Sequence, residues 1–330
     1  MVDLFVVRRD SLVTEHGVDL VTGGLGFIGN ELVRQLRARG PVAILDNRSR
    51  VAPHIDDLDD VPVYDVDVTD APAVAALFER LRPRLVFHLA AIHYIPECNA
   101  HPGRTLRVNV EGTQSVLEAA ARSGVERVVF ASTGAIYADS AAPLAEHATI
   151  APVDIYGFSK AFGEDLCRWT SARAGLSVIA ARLFNNFGRR ETNAHIIPEI
   201  LSQLRRGWTL QLGNIAPVRD YIHTTDAASA LMALAGMPAS GFEAINVATG
   251  QGASVGNLID RLAEALGHPI DVVRDAARFR AVDKQSQVAD IALLQRRTNW
   301  RPRMTLADGL ADLLAFEGFQ PVARTSTDAR

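Results

Sequence analysis

The sequence predicts an α/β fold, a doubly wound parallel sheet with a smaller, mainly helical lobe, and three features carry that expectation. Short apolar runs alternate with longer helical patterns as far as Arg182. A glycine-rich loop joins the first strand to the first helix, and after Arg182 helical segments dominate. Strand–helix alternation implies a parallel sheet covered by helices on both faces. Right-handed crossovers then bring every strand's carboxyl end to one edge, where ligands bind.

In chain order, residues 18–21, 42–45, 61–66, 85–89, 127–131 and 176–181 read as buried strands. Residues 27–39, 71–80, 106–122 and 155–173 carry the apolar spacing of helices between them. Beyond the break, helices are expected at 195–206, 226–235, 255–266 and 306–316, with strands at 210–212 and 244–247. The last of these is expected to return to the main sheet. The division that follows is an extension at 1–17, a cofactor domain at 18–182 with 226–250 returning to it, a lobe for substrate at 183–225 and 251–318, and a flexible tail at 319–330.

Composition narrows the function classes. Hydrophobic residues make up 48% of the 330-residue chain and charged residues 22%, the balance of a globular protein. Net charge is −4 and the arginines are dispersed among acids, which argues against nucleic acid as a partner. Two cysteines, Cys98 and Cys167, offer no CxxC or His/Cys cluster, so neither a metal site nor a disulfide framework is expected. No run reaches the ~18 apolar residues that span a bilayer. The short apolar patch at 4–7 is followed by arginines, the wrong order for a signal peptide, and a cytoplasmic location is expected.

The loop Thr22-Gly23-Gly24-Leu25-Gly26-Phe27-Ile28-Gly29 follows a strand and opens a helix, the setting of a dinucleotide fingerprint in a Rossmann-type fold. Gly23 permits the tight turn, Gly26 lets backbone approach a pyrophosphate, and Gly29 allows helix and strand to pack closely. The unpaired N–H groups and dipole of the helix then favour phosphate. Asp46, ending the second strand beside Asn47, stands where a carboxylate accepts ribose hydroxyls and repels a 2′-phosphate, so NAD is favoured over NADP. Asp67 and Val68 are placed to border the adenine. The His88-Leu89-Ala90-Ala91 run puts small residues where the cofactor backbone passes, with His88 itself read as structural.

Tyr156 and Lys160 stand four residues apart in a helical pattern, hence on one face. An ammonium beside a phenol favours the phenolate, making a base fit to take a proton from a sugar hydroxyl. Ser132 and Thr133, at a strand end, supply a second hydroxyl, and Thr133 is preferred.

Assembled, these motifs resemble the extended short-chain dehydrogenase/reductases, in the nucleotide-sugar epimerase and dehydratase group, over residues 18–314. Asn109 in Val-Asn-Val-Glu-Gly-Thr, Arg182-Leu-Phe-Asn185, Arg219-Asp220-Tyr221-Ile222-His223 and Arg280-x-x-Asp283 extend the likeness. The resemblance implies an NAD-dependent enzyme in which Asn109 belongs to the cofactor site. It assigns Asn185 and Arg219 to a nucleotide diphosphate, and Arg280 with Asp283 to diphosphate and ribose. His195 and Ile196 fall in its base-side loop, His93 among its substrate contacts, and Gln287 where room around the sugar is limited. A homodimer built from 106–122 and 155–173 is also implied.

One departure sorts the chemistry. Where similar 4,6-dehydratases carry an Asp-Glu pair after the threonine, this chain has Gly134 and Ala135. Elimination needs an acid and a base there. The expectation is therefore a nucleotide-sugar 4-epimerase, nearest the branch acting on UDP-glucose and UDP-galactose, with a 4,6-dehydratase or 4-ketoreductase as rival. A non-catalytic NAD sensor on the same fold would not need Thr133, Tyr156 and Lys160 together. The Gly213-Asn214 segment replaces a commoner Gly-Asp-Gly and leaves the base open.

Overall fold

A computed structural model describes residues 17–238, 240–278 and 284–321. Residues 1–16 of the extension, the tail from 322 onward, and both Arg280 and Asp283 lie outside the described residues. The first half runs β1 (Asp19–Thr22), α1 (Phe27–Arg37), β2 (Val42–Asp46), β3 (Val63–Asp65), α2 (Ala71–Leu81), β4 (Leu85–His88), α3 (Ile95–Ala100), α4 (Pro102–Leu106), α5 (Gly112–Arg122) and β5 (Arg127–Thr133). It continues with α6 (Ile155–Ala174), β6 (Ser177–Leu183), β7 (Asn185–Phe187), α7 (Ile196–Leu204), β8 (Thr209–Leu212), β9 (Val218–His223) and α8 (Thr224–Ala235). The chain closes with β10 (Phe242–Val247), β11 (Gly252–Ser254), α9 (Val255–Leu266), β12 (Asp271–Arg274), β13 (Ser286–Gln287), α10 (Ala292–Thr298) and α11 (Leu306–Phe316).

Seven parallel strands form the main sheet in the order β10-β6-β5-β4-β1-β2-β3. The order reverses between β1 and β4, which opens a crevice beyond their carboxyl ends. Alternate residues along each strand face opposite layers, as a two-residue period requires. Val21, Ile44, Phe87, Val129, Ile179 and Ile245 pack with Leu32 of α1 and Leu231 of α8. Leu20, Ala43, Val86, Val128 and Val178 pack with Phe78, Leu117 and Cys167 of α2, α5 and α6. Each fully buried Leu, Ile or Phe contributes about 1.5–3 kcal/mol to this core.

The second body holds more strand than the sequence pattern suggests. Strands β11, β9, β13 and β7 form a small mixed sheet and β8 pairs with β12. Their runs of two to six residues are too short for a period to show. The helix expected over 106–122 is interrupted by a π-helical turn at Arg107–Glu111, which carries Asn109 inward. Helix α6 is held at both ends: the Asp154 side chain accepts from the Gly157 N–H, and Gly175 closes it at φ 70°.

Two buried polar clusters lock the sheet to its helices. The Glu164 carboxylate of α6 accepts from Arg182 Nε at 2.9 Å and Nη2 at 2.7 Å, with both side chains almost wholly buried. Arg182 also donates to the Tyr137 hydroxyl and the Glu146 carbonyl, each at 2.8 Å, and Tyr137 donates to Asn246 of β10 at 2.7 Å. Elsewhere His88 lies between the Thr22 and Thr113 hydroxyls at 2.7 and 3.0 Å, tying β4 to β1 and α5. Burial, with Lys160 nearby as a lesser cause, pulls its pKa down to about 3, so this histidine is a neutral structural bridge.

Glu164→Gln leaves the Arg182 guanidinium buried without its counter-charge, and urea titration should show a loss of about 3–5 kcal/mol. For His88, the folded state stays neutral from the ordinary 6.5 down to about 3, whereas the unfolded chain binds a proton in that window. Stability should therefore fall as pH drops through it, by about 1.4 kcal/mol per unit from this group. In His88→Asn, the pH dependence of the urea midpoint should lose about one proton's worth of slope.

Candidate active site

A cavity of about 1100 Å³ opens at the carboxyl edge of the main sheet, between the two bodies. Its floor is the glycine loop. Gly23 has φ +70°, and a Cβ there would come within 2.8 Å of the Ala90 nitrogen. A Cβ on Gly29 would lie 2.1 Å from the Gly23 carbonyl oxygen, so only glycine lets α1 sit this close to β1. Gly26 is the N-cap and contributes no side-chain cap, which leaves the N–H groups at Phe27 and Ile28 available to an anion at the cavity wall.

Asp46 ends β2 at the cavity edge, only 6% exposed. Its carboxylate accepts from the Leu25 and Arg48 N–H groups at 3.1 and 2.8 Å. Burial raises its pKa, opposed by those two backbone bonds. The Asn47 amide donates to Asp67 at 2.8 Å, and Asn47, Asp67, Val68, Leu89, Ala90 and Ala91 line the same wall. A glycine cradle closed to any larger residue, a helix N-terminus and a carboxylate at the second strand's end fit a dinucleotide.

Asn109 does not line this wall. It is fully buried, exchanges hydrogen bonds of 2.8 Å with the Ile92 backbone and donates to Ser159 at 2.9 Å. The π-helical turn points it at the protein interior, where it braces the strand-end loop and α6.

At the reacting end, Thr133 closes β5 and Tyr156 and Lys160 project from the first turns of α6, all three at the cavity. The Thr133 side chain stands beside the Tyr156 phenol, close enough to act on its acidity. Burial pushes the phenol above its ordinary value, with the Thr133 side chain pulling the other way. The expectation that Lys160 draws the phenol toward neutrality is not met, because the net shift is upward with burial its largest cause. Lys160 is 2% exposed, its ammonium 4.7 Å from the centre of the Phe130 ring, and burial brings its pKa down to about 8. The adjacent Ser132 hydroxyl donates to Glu164, committed to the buried network, which leaves Thr133 as the hydroxyl that faces the cavity.

The opposite wall gathers His93, Asn185, His195, Ile196 and Arg219. His93 Nε2 lies 2.9 Å from the Asn193 amide, and its pKa falls to about 4, burial first and His195 second. His195 Nδ1 is 3.3 Å from Glu191. Arg219 donates to the Val218 carbonyl at 2.9 Å. Its neighbour Asp220 is not half of a surface ion pair: it is fully buried and accepts from the Thr249 and Gly250 N–H groups at 2.9 and 2.8 Å.

Several cavity residues escaped the sequence reading. Arg50 reaches from the β2 loop to Asn193 and to Glu97, the latter at 2.8 Å, bridging the two bodies over the cavity. Arg278 pairs with Glu199 at 2.8 Å on the side of α7. Lys284 donates to backbone carbonyls of the Gly134–Tyr137 segment, as does Gln287, which the resemblance had already set near the sugar. All lie in aperiodic polar stretches, where no spacing marks one residue above its neighbours. Among the described residues no cluster of three His, Cys, Asp or Glu side chains is set to hold a metal, and no helix is long and apolar enough to cross a membrane.

Residues 20–248 match the family described as the NAD dependent epimerase/dehydratase family. A UDP-glucose 4-epimerase of Streptomyces lividans is 32% identical over 311 residues, 87% of this chain and 92% of the relative. A GDP-6-deoxy-D-mannose reductase of Pseudomonas aeruginosa is 30% identical over 306 residues, 89% and 95% of the two chains. The dTDP-glucose 4,6-dehydratases of two Streptomyces species match at 30% and 31%. The crystal structure of a Thermus thermophilus UDP-glucose 4-epimerase in complex with NAD superposes with a TM-score of 0.82 at 31% identity, covering 91% of this chain and 98% of that one. With the glycine cradle, the Asp46 carboxylate and the Tyr156–Thr133 pair around one cavity, the chain belongs to the NAD dependent epimerase/dehydratase family, as an NAD-dependent enzyme of the extended short-chain dehydrogenase/reductases.

Proposed function

We propose that the protein is a nucleotide-sugar 4-epimerase, with UDP-hexoses preferred, working through a transient 4-keto sugar. The observation that carries this reading is the Thr133–Tyr156 pair beside a Gly134–Ala135 segment that offers no ionisable side chain. The Phe184 ring stands 3.0 Å from where a Gly134 Cβ would be, so the space of a dehydratase carboxylate is already filled. Oxidation and return reduction at one carbon need neither an acid nor a base at that place. A 4,6-dehydratase or 4-ketoreductase is the alternative within the family, and relatives of both kinds match at similar identity.

In this reading Tyr156 takes the proton of the C4 hydroxyl and returns it to the product. Thr133 holds the reacting oxygen in line with the phenol through its own hydroxyl. When bound, NAD would supply an acceptor that takes a hydride and gives it back. Lys160, buried against Phe130, is placed to hold the cofactor ribose. Asn185 and Arg219, with Arg280 and Asp283, would anchor the diphosphate and ribose while the sugar turns, and His195 and Ile196 would flank the base. His93, neutral at working pH, would contact the substrate. The cofactor domain would comprise 18–182 with 226–250, and the substrate lobe 183–225 with 251–318.

A homodimer through α5 and α6 is part of the same proposal. Phe158, Phe162 and Trp169 of α6 are 45%, 55% and 51% exposed and fall on one helical face. Apolar side chains so grouped mark a surface that another chain covers.

Purified protein offered a panel of nucleotide sugars without added NAD should yield same-mass C4 isomers by mass spectrometry and NMR. Loss of water, or consumption of external nicotinamide, would overturn the epimerase reading. Tyr156→Phe should keep substrate binding within a few-fold and lower kcat by about 10²–10⁴. Light scattering should give twice the monomer mass, and Phe162→Glu should shift it towards one chain.

A further inference from the structure

Lys284 is the one lysine besides Lys160 that lines the cavity, and it is 9% exposed. Its ammonium donates to the Ala135 carbonyl at 2.9 Å and to the Tyr137 carbonyl. An ammonium has three N–H donors, so one remains for a ligand. Both acids that act on it from a distance are committed elsewhere. Asp154 caps α6 by accepting from Gly157 at 2.8 Å, and Asp139 accepts from the Gln285 and Ser286 N–H groups at 3.2 and 3.3 Å. Among the described residues no carboxylate forms an ion pair with Lys284.

Its place in the cavity narrows what it can meet. The carbonyls it binds follow Thr133 by two and four residues, and Thr133 stands beside the Tyr156 phenol. Gln287 donates to the Gly134 carbonyl at 2.9 Å and fixes the same segment. The cation thus borders the part of the cavity next to the reacting carbon, where Gly134 and Ala135 bring no side-chain charge. In a hexopyranose C4 is flanked by C3 and by C5, which carries C6, so a sugar that turns about its anchored diphosphate brings C6 to that flank in one of its two orientations.

We propose that Lys284 is a specificity residue that selects a nucleotide sugar with a carboxylate at C6, a hexuronate, over one with a hydroxymethyl group. A buried cation held, among the described residues, by neutral carbonyls is under-compensated, and an incoming carboxylate makes a charge-assisted bond where a hydroxyl makes an ordinary one. The proposal rests on the 4-epimerase reading for the position of C4, and deepens it to a substrate class. Arg219 lines the same cavity and acts on Lys284 electrostatically, so a substrate diphosphate is the other anion the lysine can meet.

The test is calorimetric binding of UDP-glucuronic acid, UDP-glucose and UDP to the purified enzyme, with product analysis of the two sugars in parallel. UDP-glucuronic acid should bind about 10-fold or more tighter than UDP-glucose, and Lys284→Met should bring that ratio close to one. Lys284→Arg should keep part of the preference. Equal affinity of the unaltered enzyme for the two sugars overturns the proposal without recourse to any variant. A loss of UDP affinity in Lys284→Met equal to the loss for UDP-glucuronic acid also overturns it, and assigns the lysine to the diphosphate. Binding that favours the uronate without same-mass isomers among the products sinks the epimerase reading and leaves the selectivity standing.

Discussion

The reactive face of this enzyme depends on a buried ion pair that never touches the cavity. Glu164 and Arg182 join α6 to β6, and Glu164 also takes the Ser132 hydroxyl of β5. That bond fixes which way the end of β5 turns: Ser132 inward, Thr133 outward. Because α6 is the helix that carries Tyr156 and Lys160, the same contact sets the phenol against Thr133. Burying two charges is costly unless geometry and further bonds compensate. Here the fork-on-carboxylate pairing, the Tyr137 hydroxyl and the Glu146 carbonyl complete the set. The network is a positional device first, since apolar packing of the same volume could serve stability equally well.

Much of this was legible in the sequence, because the residues concerned obey local rules. The glycine loop is decided by backbone sterics, and the contacts at Gly23 and Gly29 are those the spacing implies. The buried strands and long helices were marked by their periods, as was the return of β10 beside β6. Tyr156 was marked with Lys160 by their four-residue spacing, and Thr133 by its place at a strand end.

What escaped belongs to long-range packing. The protonation tendency of Tyr156 follows from the desolvation of its phenol at the cavity, and no spacing reports the surroundings of a single side chain. The inward turn of Asn109 follows from a π-helical turn with no signature in an otherwise regular helical pattern. The ties of Asp220 run to Thr249 and Gly250, about thirty residues away, which no local pattern around Arg219 reports. Lys284 and Asn193 sit in stretches whose only local character is polarity, and gained meaning once the carbonyls and side chains they meet were in place.

The contact between Gly134 and Phe184 bears on how such a catalyst diverges from its relatives. A methyl at 134 already presses on the aromatic ring at 3.0 Å, and an aspartate would need the ring to give way. Phe184, in turn, is 6% exposed and packs with Ile136 and Tyr137 in a small apolar cluster, so trimming it first would leave a void. A carboxylate at 134 therefore calls for a matching change at 184, which ties the two positions into a couple that is replaced together.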